Sequence, residues 1–195
     1  MRSIGEGVVA TDRKGSITFT NEAAQIMLGF TSDEVQGKLI FEVIPVEDEN
    51  EDLIPQEKQP IALALKKGQK VGTSPGVNYY FVGQNSKRFP VAITAAPIML
   101  GEEITGVIVA FRDIALEKEV DKMKTEFLSL ASHQLRTPLT AIRLFTEMLL
   151  NERRGKLNQG QKEYLDNISQ STQRMISLVN DLLNVSRIET GRLKI

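Results

Sequence analysis

Apolar residues follow one spacing up to about Asp113 and another beyond it. The first stretch is short-range and alternating. Residues 7–11 (GVVAT) and 16–20 (SITFT) read as strands, joined by Asp12-Arg13-Lys14-Gly15, which is hairpin chemistry. Asn21 is placed to cap a short helix, EAAQIML, that stops at Gly29. TSDE, from Thr31 to Glu34, is a capping box for a second short helix ending near Gly37. Pro60 suits the first turn of PIALALKKG, with Gly68 as its stop. Three more strand candidates follow: NYYFVG, KRFPVAITAAPIML and GVIVAFRD. Pro90 argues against continuous central pairing in the second of these, and Gly101 to Thr105 is read as the hairpin before the third. Five strands, with short helices clustered between the second and third, predict an antiparallel α+β sheet.

After Asp113 glycine vanishes until Gly155, and the apolar period becomes helical. Residues 114–154 predict one helix of about 40 residues, roughly 60 Å at 1.5 Å per residue. Arg154-Gly155-Lys156 breaks it. A second helix is expected from Gln159 to Thr190, with Tyr164, Ile168, Met175, Leu178, Val179, Leu182, Val185 and Ile188 apolar and Gly191 as its stop. Two long helices and a short loop predict an antiparallel hairpin. Such a hairpin has a core only two helices wide. Pairing with a second copy, to give a four-helix bundle, is the simplest way to bury the apolar stripes left over.

Composition narrows the function. A formal net charge of -1 argues against a nucleic-acid partner. With no cysteine, disulfides, thiolate zinc sites, iron–sulfur clusters and cysteine nucleophiles all drop out. No run approaches the roughly 20 apolar residues that cross a bilayer, and MRSIGEGVV is too short and polar for a signal peptide. A cytoplasmic location is the expectation. The acidic run VEDENED, Val46 to Asp52, reads as a solvated loop rather than a cation site.

The single histidine, His133, lies in LSLASHQLRTPLTAIRLF, with Pro138 five residues on. At 100° per residue Leu135, Leu139 and Ile142 fall within about 40° of Leu128 and mark a core stripe, whereas His133 falls about 140° away. The imidazole is therefore expected on the flank or outside, and Pro138 is expected to bend the helix.

Phe127, Ser132-His133 and Leu135-Arg136-Thr137-Pro138-Leu139 together resemble the H-box of the dimerisation and phosphoacceptor domain of sensor histidine kinases. LVNDLLNVSRIETGRL, Leu178 to Leu193, resembles that domain's second helix. The first part resembles a PAS sensor domain: GVVATDRKGSITFTNEAAQIMLGF matches its opening hairpin and first helix, GKLIFEVIP the next helical segment, and RDI (Arg112 to Ile114) the exit motif. The resemblance implies a PAS domain over 1–113, a coiled-coil linker over 114–126 and a phosphotransfer domain over 127–195. Val120, Met123, Phe127 and Leu130 fit the linker's coiled-coil spacing.

The same resemblance implies roles. His133 accepts a phosphoryl group and passes it to a response regulator. Gln134 stands where the family usually has an acidic acid–base partner. Glutamine accepts a hydrogen bond but takes up no proton, so autophosphorylation is expected to be slowed. Thr137 positions a water for dephosphorylating the regulator, Arg136 belongs to the same box, and Pro138 kinks the helix. The expected partners are a second copy, a receiver domain and a kinase ATP-binding domain. The family's nucleotide-binding domain is expected beyond Ile195, so ATP and Mg are assigned to that domain and no cofactor to residues 1–195. Without cysteine a flavin–thiol adduct is excluded. With the one histidine outside the sensor, histidine-ligated haem is disfavoured, leaving an apolar ligand or none. The alternatives are a catalytically silent dimeric sensing scaffold, marked by Gln134, and a PAS-containing regulator that binds partners through its helices.

Overall fold

The computed structural model describes residues 5–73, 77–84, 86–152 and 155–189, with 183–189 by backbone alone. The chain divides into two compact units, Met1–Glu117 and Lys118–Ile195.

The first unit is one antiparallel sheet with helices on one face. Strand β1 (Gly7–Asp12) pairs with β2 (Ile17–Thr20), and the Asp12 carboxylate accepts the Lys14 and Ser16 amides at 2.8 Å each to close the turn. Helices α1 (Glu22–Leu28), α2 (Ser32–Val35) and α3 (Ile40–Val43) follow, then the two-residue strand β3 (Val46–Glu47). A 3₁₀ turn (Gln56–Lys58) leads into α4 (Pro60–Lys67). After β4 (Val71–Gly72) come β5 (Tyr79–Val82), β6 (Arg88–Leu100) and β7 (Glu103–Asp113). The order is β2-β1-β7-β6-β5-β3, with β4 pairing β6. The five predicted strands make the main path, and β3 and β4 add short edge pairings.

The caps behave as their chemistry dictates. Asn21 Oδ1 accepts the Ala24 amide at 2.9 Å, and α1 ends on left-handed Gly29 (φ 77°). Glu34 accepts the Thr31 amide at 2.7 Å. Pro60 opens α4 and left-handed Gly68 (φ 64°) closes it. The core lies between sheet and helices. Val9, Ile17, Phe89, Val91, Ile93, Val107, Val109 and Phe111 are buried from the sheet, and Ala24, Leu28, Ile40, Ile61 and Ala64 from the helices. Phe81 meets Phe111 edge-on at 5.0 Å.

Two local expectations need correction. The β6–β7 turn is only Gly101-Glu102, because Leu100 already pairs with Glu103. Strand β6 also runs unbroken through Pro90. Pairing with β7 begins one residue later, at Val91↔Asp113, and the Pro90 carbonyl accepts the Ile114 amide at 3.0 Å. The donor that proline lacks would fall at the rung where β7 has ended, so the ladder loses little.

The acidic run is tied into this unit. Asp48 accepts the Asn50 and Asp52 amides, Glu47 pairs with Arg88 at 2.8 Å, and Glu49 accepts from Asn78.

Helix α5 (Ala115–Leu150) runs 36 residues, and α6 (Gln159–Glu189) returns. The expected end at Thr190 and Gly191, and Arg154 in the loop, lie outside the described residues. No helix among the described residues is long and apolar enough to cross a membrane. In the single chain the core stripe differs from the expected one. Ser132, Leu139 and Thr146 of α5 are buried together with Thr172 of α6, while Leu135 and Ile142 are exposed and Leu128 is half-buried. Two helices touch along one narrow line, so the rest of each apolar stripe stays in water.

Candidate functional site

His133 lies on α5 and is exposed, beside the fully buried Ser132. One residue is a 100° step, enough to turn the imidazole out while the serine enters the seam between helices. Flank placement thus follows from helical phase once Ser132 is in the seam. Gln134, Arg136, Thr137 and Pro138 are exposed too, so the whole box from His133 to Pro138 is open to solvent.

Each neighbour has a distinct setting. Thr137 Oγ1 contacts the His133 carbonyl at 3.4 Å, a long bond from a hydroxyl one turn away that leaves its lone pairs able to accept from water. Pro138 sits inside a continuous helix. Lacking an N–H, it leaves the Gln134 carbonyl without its usual partner four residues on. Arg136 Nη2 donates to Asn180 Oδ1 of α6 at 2.8 Å. The seam around them is narrow and hydroxyl-rich. Thr146 and Thr172 return their hydroxyls to the Ile142 and Ile168 carbonyls at 2.7 and 2.8 Å, whereas the buried Ser132 hydroxyl has no partner among the described residues.

The structure thus brings His133, Arg136 and Thr137 to one flank over one turn of helix. Asn180 joins them from 44 residues away. No sequence signal marked it, because side-chain contact across a hairpin depends on the rotation of α6 against α5. Farther along the hairpin, Arg143, Glu147, Gln173 and Arg174 line an open polar groove of about 580 Å³. The Arg143–Glu147 pair there is 3.6 Å apart and half-exposed, so it adds little to stability.

Chemically, an exposed imidazole with an unprotonated ring nitrogen is a nucleophile near neutral pH. It is bordered here by a guanidinium and a hydroxyl, and by an amide that transfers no proton.

Residues 1–114 match the PAS fold family, and residues 123–191 match the His Kinase A (phospho-acceptor) domain. A sensor protein kinase WalK of Staphylococcus aureus is 30% identical over 186 residues, covering 95% of this chain and 41% of the relative. The WalK of strain JH9 is 30% identical over the same share of this chain and 28% of its own length. The chain thus spans less than half of either relative. Among solved structures, an RNA-binding light-oxygen-voltage receptor aligns with a TM-score of 0.51 at 19% identity, over 68% of this chain and 36% of that one. At that identity the likeness concerns the fold alone.

Proposed function

The chain belongs to the PAS fold family and carries a His Kinase A (phospho-acceptor) domain behind it, and from that premise we propose that it is the sensor and phosphoacceptor portion of a two-component histidine kinase. The observation that carries this reading is the exposed His133 beside a buried seam residue on α5. A free ring nitrogen attacks the γ-phosphorus of ATP held by a separate nucleotide-binding domain. The new N–P bond forms as the bond from Pγ to the bridging oxygen breaks, and ADP leaves with that electron pair. The ring then loses the proton from its other nitrogen. In the second step the ring takes a proton back on its free nitrogen, a receiver aspartate oxygen attacks phosphorus, and the N–P bond breaks with its electron pair returning to the ring, which leaves as neutral imidazole. Phosphoryl transfer of this kind is mostly positioning and charge stabilisation. Thr137 is assigned to positioning a water that attacks the phosphorus of the regulator's phosphoaspartate, releasing inorganic phosphate and the free carboxylate.

The working form in this reading is a homodimer. What supports it is the apolar surface left in water by one hairpin: Val120, Met123, Phe127 and Leu130 on α5, and Tyr164, Met175 and Leu178 on α6, all exposed. Coiled-coil spacing on α5 suits a four-helix bundle. Sensor state then biases the rotation or bending of α5, a shift between two packings. The setting is cytoplasmic, with a receiver domain and an ATP-binding domain as partners.

Gln134 favours one rival, a silent scaffold, since the expected proton acceptor is missing. The test mixes this chain with the nucleotide-binding domain of a related kinase and ATP. Acid-labile phosphate on His133, absent in His133→Gln, is the expected result. No label, even in Gln134→Glu, points instead to the scaffold.

A further inference from the structure

Arg136 lies three residues beyond His133, hence about 60° round α5 and one turn along, where side chains are neighbours. On the helical wheel it sits between the buried seam of Ser132 and Leu139 and the His133 flank. Its guanidinium is held from the opposite helix by Asn180 Oδ1 at 2.8 Å. That acceptor is neutral, so the positive charge is kept. Among the described residues no carboxylate lies within ion-pair distance of Arg136, in contrast to Arg143, which faces Glu147. A guanidinium carries five N–H donors. With one spent on Asn180, four remain for an oxyanion, and the fork suits phosphoryl oxygens.

We propose that Asn180 is a positioning residue: it aims the Arg136 guanidinium at the phosphoryl group once His133 carries one. This rests on the reading of His133 as the phosphoacceptor. Loss of that group to water needs the ring to take up a proton, so that the N–P bond can break with its electron pair going to the ring while water oxygen bonds to phosphorus. A fixed cation beside the phosphoryl oxygens stabilises their charge and disfavours the extra proton on the ring. Asn180 therefore prolongs the phosphohistidine through Arg136, without touching it.

The test uses the whole chain and potassium phosphoramidate as donor: a ring nitrogen attacks phosphorus, the P–N bond to ammonia breaks, and ammonia leaves with the imidazole proton. Loss of the phosphohistidine ³¹P signal is then followed across pH. Arg136→Gln is expected to shorten the lifetime about tenfold, the worth of one charge-assisted hydrogen bond. Asn180→Ala is expected to shorten it in the same direction, and to do nothing further in the Arg136→Gln background. Asn180→Asp, whose carboxylate would neutralise the guanidinium, is expected to behave like Arg136→Gln. In all three the acid limb of the hydrolysis profile moves to higher pH, a change that loosened packing alone does not produce. Both side chains are exposed, so thermal midpoints should hold. A labelled native chain with Asn180→Ala unchanged in lifetime and profile overturns the inference alone. No label on native His133 overturns the phosphoacceptor reading and this inference with it.

Discussion

At the scale of the residue, the phosphoacceptor reading rests on one imidazole and the amide next to it. His133 is exposed because the helix turns 100° between it and the buried Ser132; the sequence pattern placed the imidazole on the flank, although from a leucine stripe of which only Leu139 is buried. Gln134 is equally exposed and contributes no proton acceptor. Gln134→Glu is therefore expected to raise the initial rate of His133 labelling by a donor kinase domain by about 10²-fold or more, measured as acid-labile phosphate. His133→Gln should abolish the label without changing helical content, since the ring contributes nothing to the seam. What could not be read residue by residue was Asn180, which meets Arg136 across the hairpin.

At the scale of the element, the helix caps and the β1–β2 turn were legible because each rests on local hydrogen bonds, whereas the β6–β7 turn is shorter than expected. Asn21 does more than cap: its Oδ1 also accepts the Val8 amide at 2.8 Å, and its Nδ2 donates to the Glu6 carbonyl at 3.0 Å. Asn21→Ala removes the cap and the tie to β1 together, and is expected to cost about 2 kcal/mol in chemical denaturation of the sensor unit. Gly106 pairs with Asp12, and a Cβ there would stand 1.9 Å from the Thr11 carbonyl oxygen. Gly106→Ala should force β7 from β1 and lower the thermal midpoint of that unit more than Gly101→Ala in the open turn. Asp12, by the Ser16 and Lys14 amides, and Glu34, by the Thr31 amide and hydroxyl, are held below the ordinary carboxylate pKa. Each binds its proton less readily when folded than unfolded. Their stabilisation is thus complete above the ordinary carboxylate range of about 4 and drains away as pH falls below it. Asp12→Asn should flatten the pH dependence of unfolding in that acid window. The unbroken β6 was not legible, because the cost of Pro90 depends on where β7 stops.

At the scale of the whole molecule, the balance of apolar surface decides. The sensor unit closes its core within one chain, with Phe81, Phe111, Val107 and Val109 almost wholly buried. The helical unit does not: Phe127 is 69% exposed and Leu178 67%. Burying side chains of this size is worth about 1.5–3 kcal/mol each, more than a two-helix seam lined by Ser132, Leu139, Thr146 and Thr172 can supply. In the dimeric reading, Leu178→Glu is expected to shift the chain from dimer to monomer in sedimentation velocity, leaving the sensor sheet intact. Unchanged mass would count against the bundle.

The sequence by itself determined the five longer strands, the two long helices, the caps of the short ones, the change of period near Asp113 and the flank position of His133, because these depend on residues within a turn or two of one another. It also carried the phosphoacceptor resemblance. Only the tertiary structure decided the strand order, the passage of β6 through Pro90, the narrow hydroxyl-lined seam and the meeting of Arg136 with Asn180. Those depend on which backbone lies opposite, and at what rotation, and neither periodicity nor local propensity encodes that.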